Sequence, residues 1–147
     1  MGRHLFEHSL IKALRAVPEF ASLDDHTLLA LVGESVNLVW KAGSQIFEQG
    51  TTGGALFIVM SGEVLIYDGE GESIIEITRV LPGQYFGELS LLLDTTHTKS
   101  ARAEKDSELL VLPKQPFQTL LEHHPDLDEH LRTKLKERVG SEGLPTR

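Results

Sequence analysis

Residues 86–103 read FGELSLLLDTTHTKSARA and bring a glycine, a carboxylate and several small hydroxyl side chains into one short stretch. Gly87 has no Cβ, so it lets the backbone approach a ligand closely. Residues 87–92 can form one helical turn whose N–H groups point at an anion. This combination favours binding of a phosphate group, with Glu88 as a hydrogen-bond acceptor. The alternative is an ordinary turn that carries a solvated carboxylate.

The elements around this stretch follow from the hydrophobic period of the chain. Residues 36–112 contain short β-rich runs separated by glycine turns, which predicts an antiparallel sandwich or barrel. The run DGEG at residues 68–71 is a strong hairpin signal. Gly43, Gly50 and Gly62 lie where tight turns need a positive φ.

Helical spacing precedes the strand region. Residues 1–35 are predicted to be an N-terminal helical segment, with a helix over residues 25–32 that Ser22 or Asp24 can cap.

Helical spacing returns after the strands. Residues 113–140 are predicted to be C-terminal helices, and residues 141–147 a disordered tail. One face of the last helix carries Leu127, Leu131, Leu135 and Val139. The predicted core includes Phe47, Phe57, Ile58, Leu65, Leu89 and Leu110.

Length and composition are those of one globular domain. The chain has 147 residues, no cysteine and a formal net charge of −8. The negative charge repels nucleic-acid phosphates and argues against direct nucleic-acid binding, although local donors can still hold a single phosphate. No apolar run approaches the roughly 20 residues of a membrane span, and no signal peptide is apparent. We therefore expect a cytoplasmic protein without a membrane span.

Four motifs carry a resemblance to a known family. They are the entry helix VPEFASLDDHTLLALV, the hairpin KAGSQIFEQG, the strand pair LFIVMSGEVLIYD and the turn GQYFGELSLL. In this order and spacing they resemble the cyclic-nucleotide-binding domain of the catabolite activator protein and the kinase A regulatory subunit. The resemblance implies a mainly β fold, an antiparallel, jelly-roll-like β-roll (a double-stranded β-helix) with N-terminal and C-terminal helices. It places the phosphate-binding cassette at residues 83–103 and makes the C-terminal helices a lid.

The resemblance also implies a set of ligand-binding residues. Glu88 would accept a hydrogen bond from a ribose hydroxyl, Thr98 would offer its backbone N–H to the phosphate, and Ser100 would touch the base or the phosphate. The full set is Phe86, Gly87, Glu88, Leu89, Ser90, His97, Thr98, Lys99 and Ser100.

His97 lies where this family has its phosphate-binding arginine. Arginine is a planar, always charged fork, whereas histidine has a reference pKa of about 6.5 and is often uncharged at neutral pH. Lys99 could supply the cation instead, because strand alternation places residues 97 and 99 on one face. His97 is therefore either a weaker phosphate ligand or an exposed loop residue of a site that has lost its ligand. A second departure is Gly53-Gly54, where the family often has acidic residues.

We therefore expect a sensory and regulatory domain that binds cAMP or cGMP. It would signal through its C-terminal helix to an effector domain or partner protein outside this chain, and the leucine stripe leaves a homodimer open. The alternative is a degenerate domain of the same fold that acts in protein–protein contact. No enzymatic activity, metal or cofactor is expected. The spacing of His123, His124 and His130 does not place three ligands on one helical face, and Ser90 lacks the G-x-S-x-G nucleophile turn.

Overall fold

The computed structural model describes residues 10–93 and 95–141. The described helices are α1 (residues 10–15), a 3-10 helix at Pro18–Phe20, α2 at Asp25–Glu34, α3 at Glu88–Leu93, α4 at Lys114–His123 and α5 at Pro125–Ser141. The described strands are β1 at Val36–Trp40, β2 at Gln45–Phe47, β3 at Ala55–Ser61, β4 at Val64–Asp68, β5 at Ile75–Val80, β6 at Tyr85–Phe86, β7 at Ser100–Ala103 and β8 at Ser107–Pro113.

Within the described residues the strands form two four-stranded sheets. The first has the order β1-β8-β3-β6 and the second β2-β7-β4-β5, and every pairing is antiparallel. Helices precede and follow the sheets, so the predicted β-roll with flanking helices is confirmed. The hairpin predicted at residues 68–71 is confirmed too, because Gly69 and Gly71 turn the chain between β4 and β5 with φ of 87° and 61°.

The two faces of the first sheet pack on different cores. One face of β3 and β8 packs beneath the helices through Leu56, Ile58, Leu110 and Leu112. The opposite face, carrying Val59 and Leu109, packs inside the roll against residues of the second sheet such as Val64 and Ala101. Successive side chains of a strand point to opposite faces, so neighbouring residues of β3 and β8 serve both cores.

Helix α2 at Asp25–Glu34 includes the helix predicted over residues 25–32. Of the two candidate caps for α2, Asp24 makes the cap, because its carboxylate accepts a hydrogen bond from Thr27 N at 2.8 Å. In α5, Leu127 and Leu131 are buried in the core beneath the helices. The side chains of Leu135 and Val139 lie outside the described residues. So does the predicted tail, apart from Ser141, which is the last residue of α5.

The predicted core is only partly correct. Ile58, Leu65 and Leu110 are buried, whereas Phe47 and Phe57 are half-buried in an aromatic cluster inside the roll. Leu89 was also predicted to be buried, but its side chain lies outside the described residues.

Leu65 is buried for a reason that the strand pattern does not reveal. It belongs to neither of the two cores and lies between Arg79 on β5 and Arg102 on β7, directly opposite both across the sheet. The aliphatic stems of long charged side chains can cover apolar neighbours in this way. Along the described chain no helix is long and apolar enough to cross a membrane.

Candidate ligand-binding site

The cassette turn begins with a tight approach between backbones. Gly87 has φ of 90°, and a Cβ at this position would lie 2.9 Å from the carbonyl oxygen of Ala55 and 3.0 Å from Cδ1 of Phe57. Only glycine combines this φ with this lack of space at no cost. Gly87 therefore sets α3 directly against β3.

The polar residues of α3 are buried. Glu88 is the first residue of the helix, and only 3% of its surface is exposed. The hydroxyl of Ser90, which is also buried, donates to the carbonyl oxygen of Gly87 at 3.2 Å. The side chain of Leu89 lies outside the described residues. A buried carboxylate and a buried hydroxyl thus follow the glycine within three positions.

The bend before β7 is fastened to the loop between β2 and β3. Gly50 N donates to the carbonyl oxygen of His97 at 2.8 Å, and His97 N donates to that of Thr51 at 2.9 Å. Gln49 N donates to Oγ of the buried Ser100 at 2.9 Å. The second half of the cassette is therefore held by backbone pairing to residues about fifty positions earlier.

The side chain of His97 packs inside the roll. Its ring stacks on Phe47 with centroids 3.6 Å apart and planes 6° apart, and only 5% of the residue surface is exposed. Burial lowers the pKa of His97 below its ordinary value. The alternative of an exposed loop histidine is therefore wrong. At neutral pH the imidazole is an uncharged ring in an apolar environment.

Gly53 makes room for this histidine. A Cβ on Gly53 would lie 1.9 Å from Nε2 of His97, whereas a Cβ on the neighbouring Gly54 would approach nothing closer than 3.7 Å, at Lys114 Cβ. Positions 53 and 97, where the sequence departs from the family pattern, are therefore neighbours in space. The absence of a side chain at Gly53 leaves the volume that the His97 imidazole fills.

An aromatic cluster continues from this stack into the roll. Phe47 packs on Phe57 and Phe86 with ring centroids 5.7 and 5.9 Å apart, and Phe57 stacks on Phe86 at 5.0 Å. Trp40 meets Phe57 edge-on at 6.3 Å. Phe86, predicted as a ligand contact, is buried within this cluster.

Thr98 and Lys99 do not share the buried position of His97. Strand β7 begins only at Ser100, so residues 97–99 do not alternate as a strand, and the prediction that 97 and 99 share one face is wrong. Thr98 is exposed, and Nζ of Lys99 lies 3.9 Å from a carboxylate oxygen of Asp68 at the end of β4.

Contacts between α5 and the cassette were not predicted from the sequence. Arg132 donates to the carbonyl oxygen of Leu92 in α3 at 3.2 Å. Lys134 donates to Glu19 in the 3-10 helix at 2.8 Å, and the hydroxyl of Tyr85 in β6 donates to the same carboxylate oxygen at 3.0 Å. Pairings separated by up to 115 residues leave no local signal in the sequence.

A groove of about 580 Å³ lies away from the cassette, between the 3-10 helix and the junction of α4 with α5. Its lining includes His123, His124 and His130, the histidines considered above for metal binding. Among the described residues, no group of three His, Cys, Asp or Glu could hold a metal ion.

Comparison with known proteins identifies relatives of this chain. Residues 38–124 match the family model described as the cyclic nucleotide-binding domain. The chain is 29% identical to the cAMP-dependent protein kinase regulatory subunit of Schizosaccharomyces pombe over 86% of this chain and 29% of that protein. It is 33% identical to the Cyclic AMP receptor protein of Thermus thermophilus over 72% of this chain and 50% of that protein.

A solved structure is similar to this chain as well. The crystal structure of the Thermus thermophilus Catabolite Activator Protein matches with a TM-score of 0.76 and 30% identity, over 86% of this chain and 60% of that one. The chain therefore belongs to the cyclic nucleotide-binding domain family. It spans half or less of the two curated relatives.

Proposed function

We propose that this chain is a regulatory domain that binds cAMP or cGMP in its cassette and relays binding through α5. One observation carries the proposal: buried Glu88 opens α3 immediately after the positive-φ Gly87, within the residues that match the family model. A carboxylate at the start of this helix can accept a charge-assisted hydrogen bond from a ribose hydroxyl.

In this proposal the phosphate does not depend on a charged His97. The ring is neutral at physiological pH because burial lowers its pKa. The phosphate is held instead by backbone N–H groups of α3 and of exposed Thr98, with Lys99 beside them. Loss of an arginine fork makes binding weaker than in an arginine-containing site, by roughly 30- to 1000-fold.

Calorimetric titration with cAMP and with cGMP tests this assignment. Glu88→Gln keeps the shape of the side chain but loses its charge, and we expect it to weaken nucleotide binding tenfold or more. Glu72→Gln, an exposed carboxylate after the β4–β5 turn, is the matched control and should bind like the wild-type protein. Equal nucleotide affinity of Glu88→Gln and the wild type would contradict the proposed site.

The role of His97 has its own test. If the neutral ring is a bystander, wild-type affinity should be the same at about pH 6.5 and about pH 8. His97→Arg should tighten binding by an order of magnitude or more if the new guanidinium reaches the phosphate. Affinity that rises as the pH falls would instead mean that an imidazolium carries the phosphate.

The second candidate is a degenerate domain used for protein–protein contact. It is favoured by the stack of His97 on Phe47, which places an uncharged ring where the family arginine would be. Under this alternative neither the wild type nor His97→Arg binds either nucleotide. Under both candidates we propose a non-enzymatic, cytoplasmic regulator that acts on an effector domain or a partner protein.

A further inference from the structure

We propose that Glu19 is the centre of a latch that couples the position of α5 to the cassette. The latch consists of Glu19, Tyr85 and Lys134, with the contact between Arg132 and Leu92 as its second point of attachment. As a device for relaying nucleotide binding, it rests on the proposed function. As a clamp on α5, it can be tested in the ligand-free protein.

The first argument is the burial of the Glu19 carboxylate. Only 4% of its side chain is exposed, and a buried carboxylate is costly unless it is paired. Burial by itself would raise the pKa of Glu19, but hydrogen bonds from Lys134, from the backbone N–H of Glu19 and from Tyr85 hold it below its ordinary value. The carboxylate is therefore charged at neutral pH, and Lys134 is the cation that lies against it.

The second argument is the origin of the partners. Glu19 belongs to the 3-10 helix, Lys134 to α5, and Tyr85 to β6, two residues before Gly87. One oxygen, Oε2 of Glu19, receives both the Tyr85 hydroxyl at 3.0 Å and the Lys134 ammonium at 2.8 Å. Three elements that are remote in sequence thus meet at one buried atom.

The third argument is the attachment at the other end of α3. Arg132 donates from Nη1 to the carbonyl oxygen of Leu92 at 3.2 Å, while its Nε is held by Asp128 at 2.8 Å. A cation beside the last carbonyls of a helix is stabilising. Helix α5 is therefore linked to the cassette at two places. Through Glu19 it reaches Tyr85, which precedes α3, and through Arg132 it contacts the last turn of α3.

Movement of the cassette must act on both attachments. If a ligand shifts Tyr85 or α3, the hydrogen-bond geometry at Glu19 and at Leu92 changes. The interactions that hold α5 in its docked position then become weaker or stronger. Coupling of this kind is reciprocal, because a change in the docking of α5 must alter nucleotide affinity by the same factor.

Amide hydrogen exchange of residues 126–134 tests the latch in the ligand-free protein. Lys134→Met retains the aliphatic stem and removes the cation, and we expect exchange in this segment to become tenfold or more faster. Lys134→Arg should remain close to the wild type. Lys105→Met is the matched control, since Lys105 is a more exposed lysine that lies 3.7 Å from Glu63. Equal exchange in Lys134→Met and Lys105→Met would overturn the latch.

A second measurement separates coupling from simple docking. In the wild-type protein, saturating cAMP or cGMP should change the exchange of residues 126–134. In Lys134→Met and Tyr85→Phe this change should shrink at least threefold, although the nucleotide still binds. A change of undiminished size would overturn the coupling. If the wild-type protein binds neither nucleotide, the proposed function fails, and the ligand-free comparison decides the latch by itself.

Discussion

At the scale of single residues, the imidazole of His97 is held by neighbours that are remote in sequence. Phe47 stacks on one face of the ring, Gly53 leaves space for Nε2, and the backbones of Gly50 and Thr51 pair with that of His97. Together these contacts hold the ring in place, and its burial lowers the pKa of His97, which favours the uncharged form. Position 97 therefore contributes to the packing of the roll.

Burial of this neutral ring should make stability depend on pH. Because the pKa of His97 is lowered from 6.5, the unfolded chain takes up a proton at a higher pH than the folded protein. The contribution of the buried neutral ring to stability is complete above the unfolded-state pKa of 6.5. It is lost as the pH falls from 6.5 through the folded-state pKa of His97. Between about pH 7 and about pH 5, the melting temperature of the wild type should fall more than that of His97→Phe.

His130→Gln serves as the control, because His130 is exposed. It should retain the pH dependence of the wild type. If the melting temperatures of His97→Phe and the wild type depend on pH in the same way, the buried imidazole does not cause the loss of stability at acidic pH.

Gly53→Ala should be destabilising chiefly through His97, which supplies the three atoms nearest to the added Cβ. The added Cβ would overlap Nε2, and overpacking of this kind costs about 1–3 kcal/mol of unfolding free energy. In a His97→Ala background the cost should fall to within about 0.5 kcal/mol of zero, because the clash has been removed. Urea unfolding of the four proteins of this cycle measures the coupling, and Gly54→Ala is the matched control.

At the scale of elements, the junction of β6 with α3 depends on Gly87. Gly83 has almost the same φ, 89° against 90°, but a Cβ there would meet nothing within 4 Å. The two glycines thus share a backbone requirement and differ in packing. The difference between them isolates the close approach of α3 to β3.

We expect Gly83→Ala to cost about 1–2 kcal/mol, which is the penalty of the left-handed conformation. Gly87→Ala should cost about 1–3 kcal/mol more, because its Cβ would meet Ala55 O and the Phe57 ring. Chemical denaturation followed by circular dichroism gives both values. Equal costs would mean that α3 does not need its close contact with β3.

At the scale of the whole molecule, β3 and β8 connect the two cores. Leu110 faces the core beneath the helices, whereas Leu109 faces the core inside the roll. Separation of β3 and β8 from one core would also remove the apolar side chains that these strands contribute to the other core. The described helices and strands should therefore unfold as one cooperative unit.

Two probes can report on the two cores separately. Trp40, the only tryptophan, packs against the core inside the roll, and far-ultraviolet circular dichroism follows the helices. Their urea transitions should coincide in the wild type, in Leu109→Ala and in Leu110→Ala, with each substitution costing about 2–5 kcal/mol. Leu29→Ala, on the exposed face of α2, should cost far less. Separate transitions for the two probes would disprove the single unit.

The order of elements could be predicted because it depends on local period and turn chemistry. Glycine turns, strand alternation and the Asp24 cap are properties of adjacent residues. The short strand β6 was missed because two residues, Tyr85 and Phe86, are too few to show a period. The shared face expected for residues 97 and 99 failed because the bend before β7 extends as far as Lys99.

By itself the sequence determined the class of this protein: a β-roll with flanking helices and a cassette with Gly87 and Glu88 at its entrance. Only the tertiary structure decided that His97 is a buried, neutral partner of Phe47, and that Glu19 joins Tyr85 to Lys134. The physical reason is that burial and pairing depend on groups brought together from distant parts of the chain. Neither the charge state of His97 nor the partners of Glu19 can be obtained from neighbouring residues.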